Sequence, residues 1–346
     1  MDGIPESIDQ LVAVEMRPRG FLDGIIAPLY HAARERTGGP LVWQAALRLR
    51  EAARTGRTIY IATGHVHPEA LPRGETDGPP GAASLARALV VGYGAPVVLL
   101  TEQTVADPLA RTCEAVGLSV RPYGSPRHPR SVSILPFPID SQEALTVTDE
   151  LLPSAGAVVT IEKIGRNRKG VYHTGQGNDV SSSLAKVDVL VDAARLAGAP
   201  TIGIGDLGNE IGMAGIEETV RRVSPHGDRC QCSCRAGMAC AVVTDHLIVA
   251  GVSNWGAYGL AAAMGAMDGK EEFLHAPELE RDMIVACCRA GAVDGLSTGP
   301  TLEVDGIPWQ THTALVEMLR AVVRIGVAPR VPERHRFEVR EDERED

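Results

Sequence analysis

Two acidic residues lie in a glycine-rich segment that could carry out acid–base chemistry. The segment, residues 203–213, has the sequence Gly-Ile-Gly-Asp-Leu-Gly-Asn-Glu-Ile-Gly-Met. Carboxyl groups exchange protons or bind divalent cations, and glycines allow a ligand to approach the backbone closely. Asp206 and Glu210 are therefore candidate catalytic residues and candidate ligands for Mg²⁺ or Mn²⁺, and Asn209 could orient a substrate. The alternative is purely structural, with glycines at turns and acids as helix caps.

The same segment matches the G-x-G-x-x-G fingerprint of dinucleotide-binding proteins. Asp206 and Glu210 would then occupy positions where a pyrophosphate needs bare backbone amides. No second strand ending in an acidic residue follows at the distance that a ribose-binding site requires. The sequence therefore predicts that the protein binds neither NAD nor FAD.

A second polar segment, residues 162–170, follows the apolar run 158–161. Glu162 stands directly at the end of the predicted strand, where it could act as a base or hold an ammonium group. Arg166 could grip a carboxylate through two parallel hydrogen bonds, which a lysine cannot do. The alternative is a solvated basic loop without a ligand.

A third polar segment, residues 75–82, connects a predicted strand to a predicted helix. Thr76, Asp77 and the backbone amide of Gly81 are candidate substrate contacts, because the first turn of a helix offers free amides and a positive dipole to an anion. The alternative is a well-capped helix that binds nothing.

A fourth polar segment, residues 251–258, follows the last predicted strand of the sheet. Ser253 and Asn254 could orient a small polar ligand while Trp255 excludes water. A helix cap with a packed tryptophan explains this segment equally well in isolation. Four such segments at the same edge of one sheet are harder to dismiss than any one of them.

The elements that would position these segments alternate between strand and helix along the chain. The predicted strands are 58–62, 96–100, 131–136, 157–161, 201–204 and 246–252. The predicted helices are one or two within 4–36, followed by 82–91, 108–116, 188–196, 216–223, 257–267, 283–290 and 313–325. This order is typical of an α/β fold, Rossmann-like, with a mostly parallel sheet and helices on both faces. Ligands of such sheets bind at the carboxyl ends of the strands, so we expect the active site there.

Composition restricts the partners of the 346-residue chain. Its formal net charge of −10 disfavours binding to nucleic acid or an anionic membrane surface. The chain has no run of about 18 apolar residues that would predict a membrane span, and its acidic first residues do not resemble a secretory leader. We therefore expect a cytoplasmic protein with a small-molecule ligand, and the sequence leaves homo-oligomer formation open.

The domain organisation predicted from the sequence is simple. Residues 1–330 contain no internal repeat and no Ser/Gly linker, which predicts a single α/β domain. A boundary within 140–155 is the alternative. Residues 331–346 are almost entirely charged, and we expect a disordered tail there.

Three further patterns carry weaker predictions. Cys230, Cys232 and Cys234, with Cys240 beyond, could bind zinc or copper(I), but one-residue spacing is not the usual knuckle of a zinc site. A redox-sensitive or inert surface loop is the favoured interpretation. The G-x-S-x-G match at 295–299 lacks the preceding strand that a nucleophile elbow needs. The histidines at 65 and 67 could be metal ligands, but an exposed loop is the favoured interpretation.

Three motifs, at 75–81, 205–213 and 251–256, together resemble the D-glutamate cyclase family. The resemblance spans about 58–262, with supporting similarity at Glu162, at 165–166 and at 226–228. The sequence departs from the family pattern at 167–170 and in the cysteine cluster, which has the character of an insertion. The first departure alters a loop that should touch the ligand and so bears on substrate identity.

The resemblance implies a lyase that converts D-glutamate to 5-oxo-D-proline by intramolecular dehydration. Such a reaction needs a base for the ammonium proton, and a general acid or a metal ion to help expel oxygen from the γ-carboxylate. Asp206, Glu210 and Glu162 would supply these groups, and Arg166 would bind a substrate carboxylate. Two alternatives stay open: a hydratase, dehydratase or hydrolase acting on another small amino or hydroxy acid, and a non-catalytic amino-acid-binding protein.

Overall fold

The computed structural model describes residues 3–18 and 23–328, so the predicted tail at 331–346 lies outside the described residues. The helices are α1 Ile4–Val12, α2 Ile26–Thr37, α3 Leu41–Ala53, α4 Pro79–Tyr93, α5 Ala106–Ala115, α6 Ser141–Leu151, α7 Val187–Leu196, α8 Glu217–Val223, α9 Ser253–Asp268, α10 Pro277–Arg289 and α11 Trp309–Val327. The strands are β1 Thr58–Thr63, β2 Val97–Thr101, β3 Ser119–Pro122, β4 Ser131–Pro136, β5 Ala155–Ile161, β6 Thr201–Gly205, β7 His246–Val249, β8 Glu303–Val304 and β9 Ile307–Pro308. Short 3₁₀ turns lie at Leu152–Ser154, Met213–Ile216 and Glu271–Phe273.

Seven strands form one parallel sheet in the order β3-β4-β2-β1-β5-β6-β7, which confirms the predicted α/β class. Strands β2 and β5 are mostly apolar and are buried along their whole length, as expected for parallel strands covered on both faces. Helices α6 and α7 pack together on one face of the sheet, and α3, α4 and α9 pack together on the other. The remaining two strands, β8 and β9, form a small antiparallel hairpin.

The centre of the sheet contains a topological switch point. From β1 the chain proceeds to β2 on one side, and after β4 it crosses to β5 on the other side of β1. Helices that leave β1 and β5 therefore diverge and leave a crevice beyond the carboxyl ends of these two strands, where open α/β sheets bind ligands. The carboxyl ends of β1, β5 and β6 lie side by side in the sheet, since Thr63 pairs with Ile161 and Ile161 with Ile204.

Most of the predicted elements are present, and the differences have local causes. The strand predicted at 246–252 ends at Val249, and the following helix begins at Ser253 rather than at 257. This early start reflects the Asp77 carboxylate, which accepts hydrogen bonds from the amides of Ser253 and Asn254 at 2.9 Å each. Helices α3 and α6 and the edge strand β3 were not predicted from the sequence. That residues 1–330 form a single domain stays a prediction.

None of the helices within 3–18 and 23–328 combines the length and the apolar character needed to cross a bilayer.

Candidate active site

A cavity of about 410 Å³ opens at the switch point, at the carboxyl ends of β1, β5 and β6. This volume suits a small molecule. Charged and polar side chains converge on it: Arg17, His65, Glu75, Glu162, Asp206, Asn209 and Asp305. The walls are completed by the loop 174–178 and by residues from the segment 295–298.

Asp206 follows β6 directly and lies against a buried ion-pair network. Its carboxylate pairs with Arg17, which also donates hydrogen bonds to Asp305 Oδ2 at 2.8 and 3.2 Å. Burial raises the pKa of Asp206 to about 7, against the lowering effect of Arg17 and with a further rise from the nearby Glu210 carboxylate. The pKa of Asp305 is raised to about 6, again mainly by burial. Asp206 can therefore donate and accept a proton near neutral pH.

Arg17 lies in the chain after α1 and is buried in the cavity wall. Its Nε and Nη2 atoms bind the two aspartates, but Nη1 has no hydrogen-bond partner among the described residues. A buried guanidinium nitrogen without a partner is costly. Arg17 therefore offers an unused donor to a ligand carboxylate in the cavity.

Glu162 follows β5 directly and adopts φ 49°, a left-handed conformation that glutamate rarely takes. The Ser253 hydroxyl donates a hydrogen bond to Glu162 Oε2 at 2.6 Å. Burial raises the pKa of Glu162 well above its usual range, and the nearby Asp206, Glu210, Asp77 and Glu75 carboxylates raise it further. Backbone strain and a perturbed pKa in one cleft are common features of functional residues.

His65 was expected in an exposed loop, and this expectation is wrong. The imidazole is buried beside the cavity, with Nδ1 2.7 Å from Glu75 Oε1 and Nε2 without a partner among the described residues. Burial lowers the pKa of His65, but the Glu75 carboxylate outweighs this effect and the net change is a raised pKa. When Nδ1 donates to Glu75, Nε2 is left free to accept a proton.

Glu210 does not line the cavity, although the sequence suggested it as a catalytic residue and a metal ligand. Its carboxylate accepts hydrogen bonds from three amides of its own loop, those of Asp206, Leu207 and Gly208, at 3.0, 2.9 and 2.6 Å. The structure thus places Glu210 as the group that shapes the loop carrying Asp206. These are also the amides that a dinucleotide fingerprint would offer to a pyrophosphate.

Asp77 and Asn254 link two helix starts rather than facing the cavity. Asp77 accepts from the first amides of α9, and Asn254 Oδ1 accepts from the amides of Gly78 and Gly81 in the first turn of α4 at 2.9 and 2.7 Å. The Gly81 amide, predicted to bind a carboxylate, is therefore already occupied. The hydroxyl of Thr76 donates to the carbonyl of Glu303 at 2.8 Å. These contacts brace the site and leave no free group for a substrate.

Arg166 is also placed away from the cavity. Its guanidinium donates to Asp188 at 2.6 Å and to Asp192, one turn further along α7. Asp188 accepts a further hydrogen bond from Tyr172 at 2.7 Å. Since its donors are engaged by two carboxylates, the structure does not support the predicted role of Arg166 as a substrate clamp.

The structure brings three of the four predicted segments to one cavity, through Glu75, Glu162, Asp206 and Asn209. Asn209 donates from Nδ2 to the carbonyl of His173 at 2.9 Å, and its Oδ1 has no partner among the described residues. The fourth segment reaches the site indirectly, through the hydrogen bond from Ser253 to Glu162.

Two groups of side chains in this region could hold a cation. Asp77, Glu162 and Asp206 form one group and His65, Glu75 and Glu162 form the other, with ligand atoms within 4.8 Å of one another. Carboxylate ligands suit Mg²⁺ or Mn²⁺ in type, whereas the imidazole of the second group is more typical of transition-metal sites. Glu162 belongs to both groups, and Glu210 belongs to neither.

Sequence reasoning missed Arg17 and Asp305 as site residues. Neither follows a strand of the main sheet: Arg17 comes after α1, and Asp305 lies at φ 55° in the turn of the β8–β9 hairpin. A solitary arginine after an amphipathic helix carries no motif that could have identified it. The segment 295–299 does border the cavity, but Ser297 is exposed and no strand precedes it, so no nucleophile elbow forms.

The fold and the cavity define a parallel α/β protein with an acidic candidate active site at the switch point of its sheet. A family model described as "D-glutamate cyclase-like, C-terminal" matches residues 36–320, and the chain therefore belongs to this family. The mitochondrial D-glutamate cyclase of Homo sapiens is 30% identical over 302 residues, which cover 79% of this chain and 46% of the human protein. The chain thus matches about half the length of that relative.

Proposed function

We propose that this chain is a lyase that converts D-glutamate to 5-oxo-D-proline in the cavity at the switch point. One observation carries the proposal: a buried arginine, whose Nη1 donor has no partner within residues 3–18 and 23–328, lies beside Asp206, whose pKa is near 7. A carboxylate-binding group and a proton donor are thereby held together in a cavity of small-molecule size. Membership of the D-glutamate cyclase-like family and the activity named for the human relative support the same substrate.

The reaction joins the amine of D-glutamate to the carbon of its own γ-carboxylate. A carbon–nitrogen bond forms, a bond from the γ-carbon to oxygen breaks, and the departing oxygen leaves as water with two protons that began on the ammonium group. Both reacting groups belong to one molecule, so holding it in a folded conformation supplies much of the acceleration. The protein must bind the α-carboxylate and move protons from nitrogen to oxygen.

The side chains in the cavity can be assigned to these tasks. Arg17 Nη1 binds the α-carboxylate, and Asp206 donates a proton to the departing oxygen. His65 Nε2, with Nδ1 fixed by Glu75, accepts a proton from the ammonium group. Glu162, whose carboxylate lies within 4.8 Å of that of Asp206, orients the amine. Asn209 orients the substrate through its unpaired Oδ1.

Mg²⁺ or Mn²⁺ bound in the cavity would be held by Glu162 with Asp206, or by Glu162 with His65 and Glu75. Asp77 also lies near Glu162 and Asp206, but its oxygens accept hydrogen bonds from the amides of Ser253 and Asn254. Such an ion would polarise the γ-carboxylate as a Lewis acid. Glu210 has no place in this ligand set, because its oxygens are engaged by backbone amides.

Incubation with glutamate tests the proposed function directly. Purified protein should convert D-glutamate to 5-oxo-D-proline and leave L-glutamate unchanged, as measured by chiral chromatography with mass spectrometry. The same reactions with added Mg²⁺, with added Mn²⁺ and after chelation establish whether a cation contributes. Turnover of another small amino or hydroxy acid from a substrate panel, with none of D-glutamate, would replace this proposal with a different lyase or hydrolase. Binding without turnover of any panel member would indicate an amino-acid-binding protein.

Matched arginine variants test which cation binds the substrate carboxylate. Arg17→Lys keeps the charge but removes the planar guanidinium, so we expect KM to rise by about 10-fold or more with a smaller change in kcat. Arg166→Lys makes the same chemical change outside the cavity and should leave KM near that of the parent protein. A rise in KM for Arg166→Lys but not for Arg17→Lys would return the clamp to the position predicted from the sequence.

A further inference from the structure

A second cluster of potential metal ligands lies outside the acidic cavity. His173 comes from the segment after β5, and Cys230, Cys232 and Cys234 come from the long loop between α8 and β7. The imidazole Nε2 is 3.3 Å from Cys232 Sγ and 3.6 Å from Cys234 Sγ. Cys230 Sγ is 3.5 Å from Cys232 Sγ and 3.3 Å from Cys234 Sγ. All four ligand atoms lie within 4.8 Å of one another.

These separations match a tetrahedral metal site. Zinc bonds of about 2.3 Å to sulfur and about 2.0 Å to nitrogen place neighbouring ligand atoms roughly 3.5–3.8 Å apart. The distances around this cluster fall within a few tenths of an ångström of that range. Three thiolates and one imidazole form a closed ligand set of the kind that structural zinc sites use.

A disulfide explains the cluster less well. The sulfur atoms are 3.3 Å or more apart, far beyond the bond length of about 2.05 Å, and all three cysteines are free. A disulfide between any two would leave the third thiol and the histidine unexplained. The one-residue spacing that disfavoured zinc in the sequence matters less here, because His173 supplies the fourth ligand from a distant segment.

We propose that His173, Cys230, Cys232 and Cys234 bind one zinc ion, which fastens the loop between α8 and β7 onto the wall of the acidic cavity. The proposal does not depend on which substrate the cavity takes.

The surroundings of the cluster connect it to the cavity. Four of the residues that follow His173, at 174–176 and 178, line the cavity, and the His173 carbonyl accepts the hydrogen bond from Asn209. The amide of Gln231, between two of the cysteines, donates to the carbonyl of Gly177 at 3.0 Å. An ion bound to all four ligands would therefore hold this wall in place.

A neighbouring amide supports the thiolate character of the cluster. Asn167 Nδ2 lies 3.5 Å from Cys234 Sγ and donates to the carbonyl of Gly237 at 2.7 Å. Donors of this kind around the sulfur orient metal-bound thiolates and tune the site. Asn167 belongs to the stretch 167–170, where the sequence departs from the family pattern.

Metal analysis of the intact protein tests the proposal. Protein produced with zinc and purified under reducing conditions should contain about one zinc per chain by elemental mass spectrometry. A brief EDTA wash should leave it bound, whereas a cation held by carboxylates in the cavity should be removed. The triple variant Cys230→Ser/Cys232→Ser/Cys234→Ser should lose this zinc, and Cys288→Ser, at a partly exposed cysteine outside the cluster, should retain it.

Cobalt substitution keeps the test decisive even where the triple variant fails to fold. Metal-free parent protein titrated with Co²⁺ should develop sulfur-to-cobalt charge-transfer bands and intense tetrahedral d–d bands that saturate at about one ion per chain. Absence of both zinc and these bands would overturn the proposal, as would full zinc retention in a folded triple variant. A disulfide among the three cysteines, found by peptide mapping of protein kept under reducing conditions, would also overturn it.

Discussion

Replacing Asp206 by Asn should lower kcat by about 10²–10⁴-fold, the usual contribution of a general acid or base. The change keeps the size and polarity of the side chain but removes the proton that a carboxyl group with a pKa of about 7 can exchange. Folding should survive, since Arg17 retains its partner Asp305. Steady-state kinetics on the substrate that the panel identifies, together with thermal unfolding, measure both expectations.

Two further variants show whether a fall in kcat is specific to the Asp206 carboxyl group. Asp107→Asn makes the same change in an exposed carboxylate paired with Arg73, and it should leave kcat unaltered. Glu210→Gln should instead weaken the loop, because an amide side chain cannot accept all three backbone hydrogen bonds equally well. If Asp206→Asn retains the kcat of the parent protein, Asp206 is not the proton donor and Glu162 becomes the next candidate.

The pH dependence of stability provides a second measurement on the same variant. Burial raises the pKa of Asp206 in the folded protein above the ordinary value of 3.8, so its stabilising contribution is complete at low pH and is lost as pH rises through about 7. The amide that replaces the carboxyl group in the variant does not titrate in this range. The Tm of the Asp206→Asn variant relative to the parent should therefore increase between about pH 5 and about pH 8. Parallel Tm curves would show that the pKa is not raised.

Replacing Lys163 by Met should lower the free energy of unfolding by about 3–5 kcal/mol, as expected when one partner of a buried ion pair is removed. Lys163 is fully buried, and its Nζ atom binds the Glu102 carboxylate and the Gly64 carbonyl. The variant would leave the carboxylate in the core without a countercharge. Gly64 follows β1 and Lys163 follows β5. The hydrogen bond from Lys163 to the Gly64 carbonyl therefore also links the carboxyl ends of these two strands at the switch point. Urea unfolding followed by circular dichroism measures the loss.

Lys169→Met is the matched control, because Lys169 is exposed in the same segment. It should change the free energy of unfolding by no more than about 0.5 kcal/mol. The double variant Lys163→Met/Glu102→Leu removes both charges and should recover part of the loss. A loss for Lys163→Met no larger than that for Lys169→Met would contradict the assigned role of the buried pair.

Local sequence patterns predicted three of the residues that line the candidate cavity. Short apolar runs followed by glycine-rich polar segments predicted parallel strands, and the carboxyl ends of such strands meet at one edge of the sheet. This reasoning located Glu162, Asp206 and Asn209, which do line one cavity. It depends only on residue type and spacing, which determine hydrophobic periodicity and turn formation.

Local patterns could not determine which polar groups face the cavity. Asp206 and Glu210 are both acids of one loop, yet Glu210 turns back onto the loop amides because three donors there need a partner. Arg166 resembles a carboxylate clamp in sequence, but Asp188 and Asp192 of α7 satisfy its guanidinium. Such choices depend on what lies nearby after folding.

The sequence by itself determined the α/β class, six of the seven strands of the central sheet, and three of the loops that line the cavity. Only the tertiary structure brought Arg17 and Asp305 to Asp206, and His173 to the three cysteines. These partners lie far apart in the chain, so neither periodicity nor spacing connects them. Their pairing arises because a charge or a polar atom that folding removes from water must find a complementary group there.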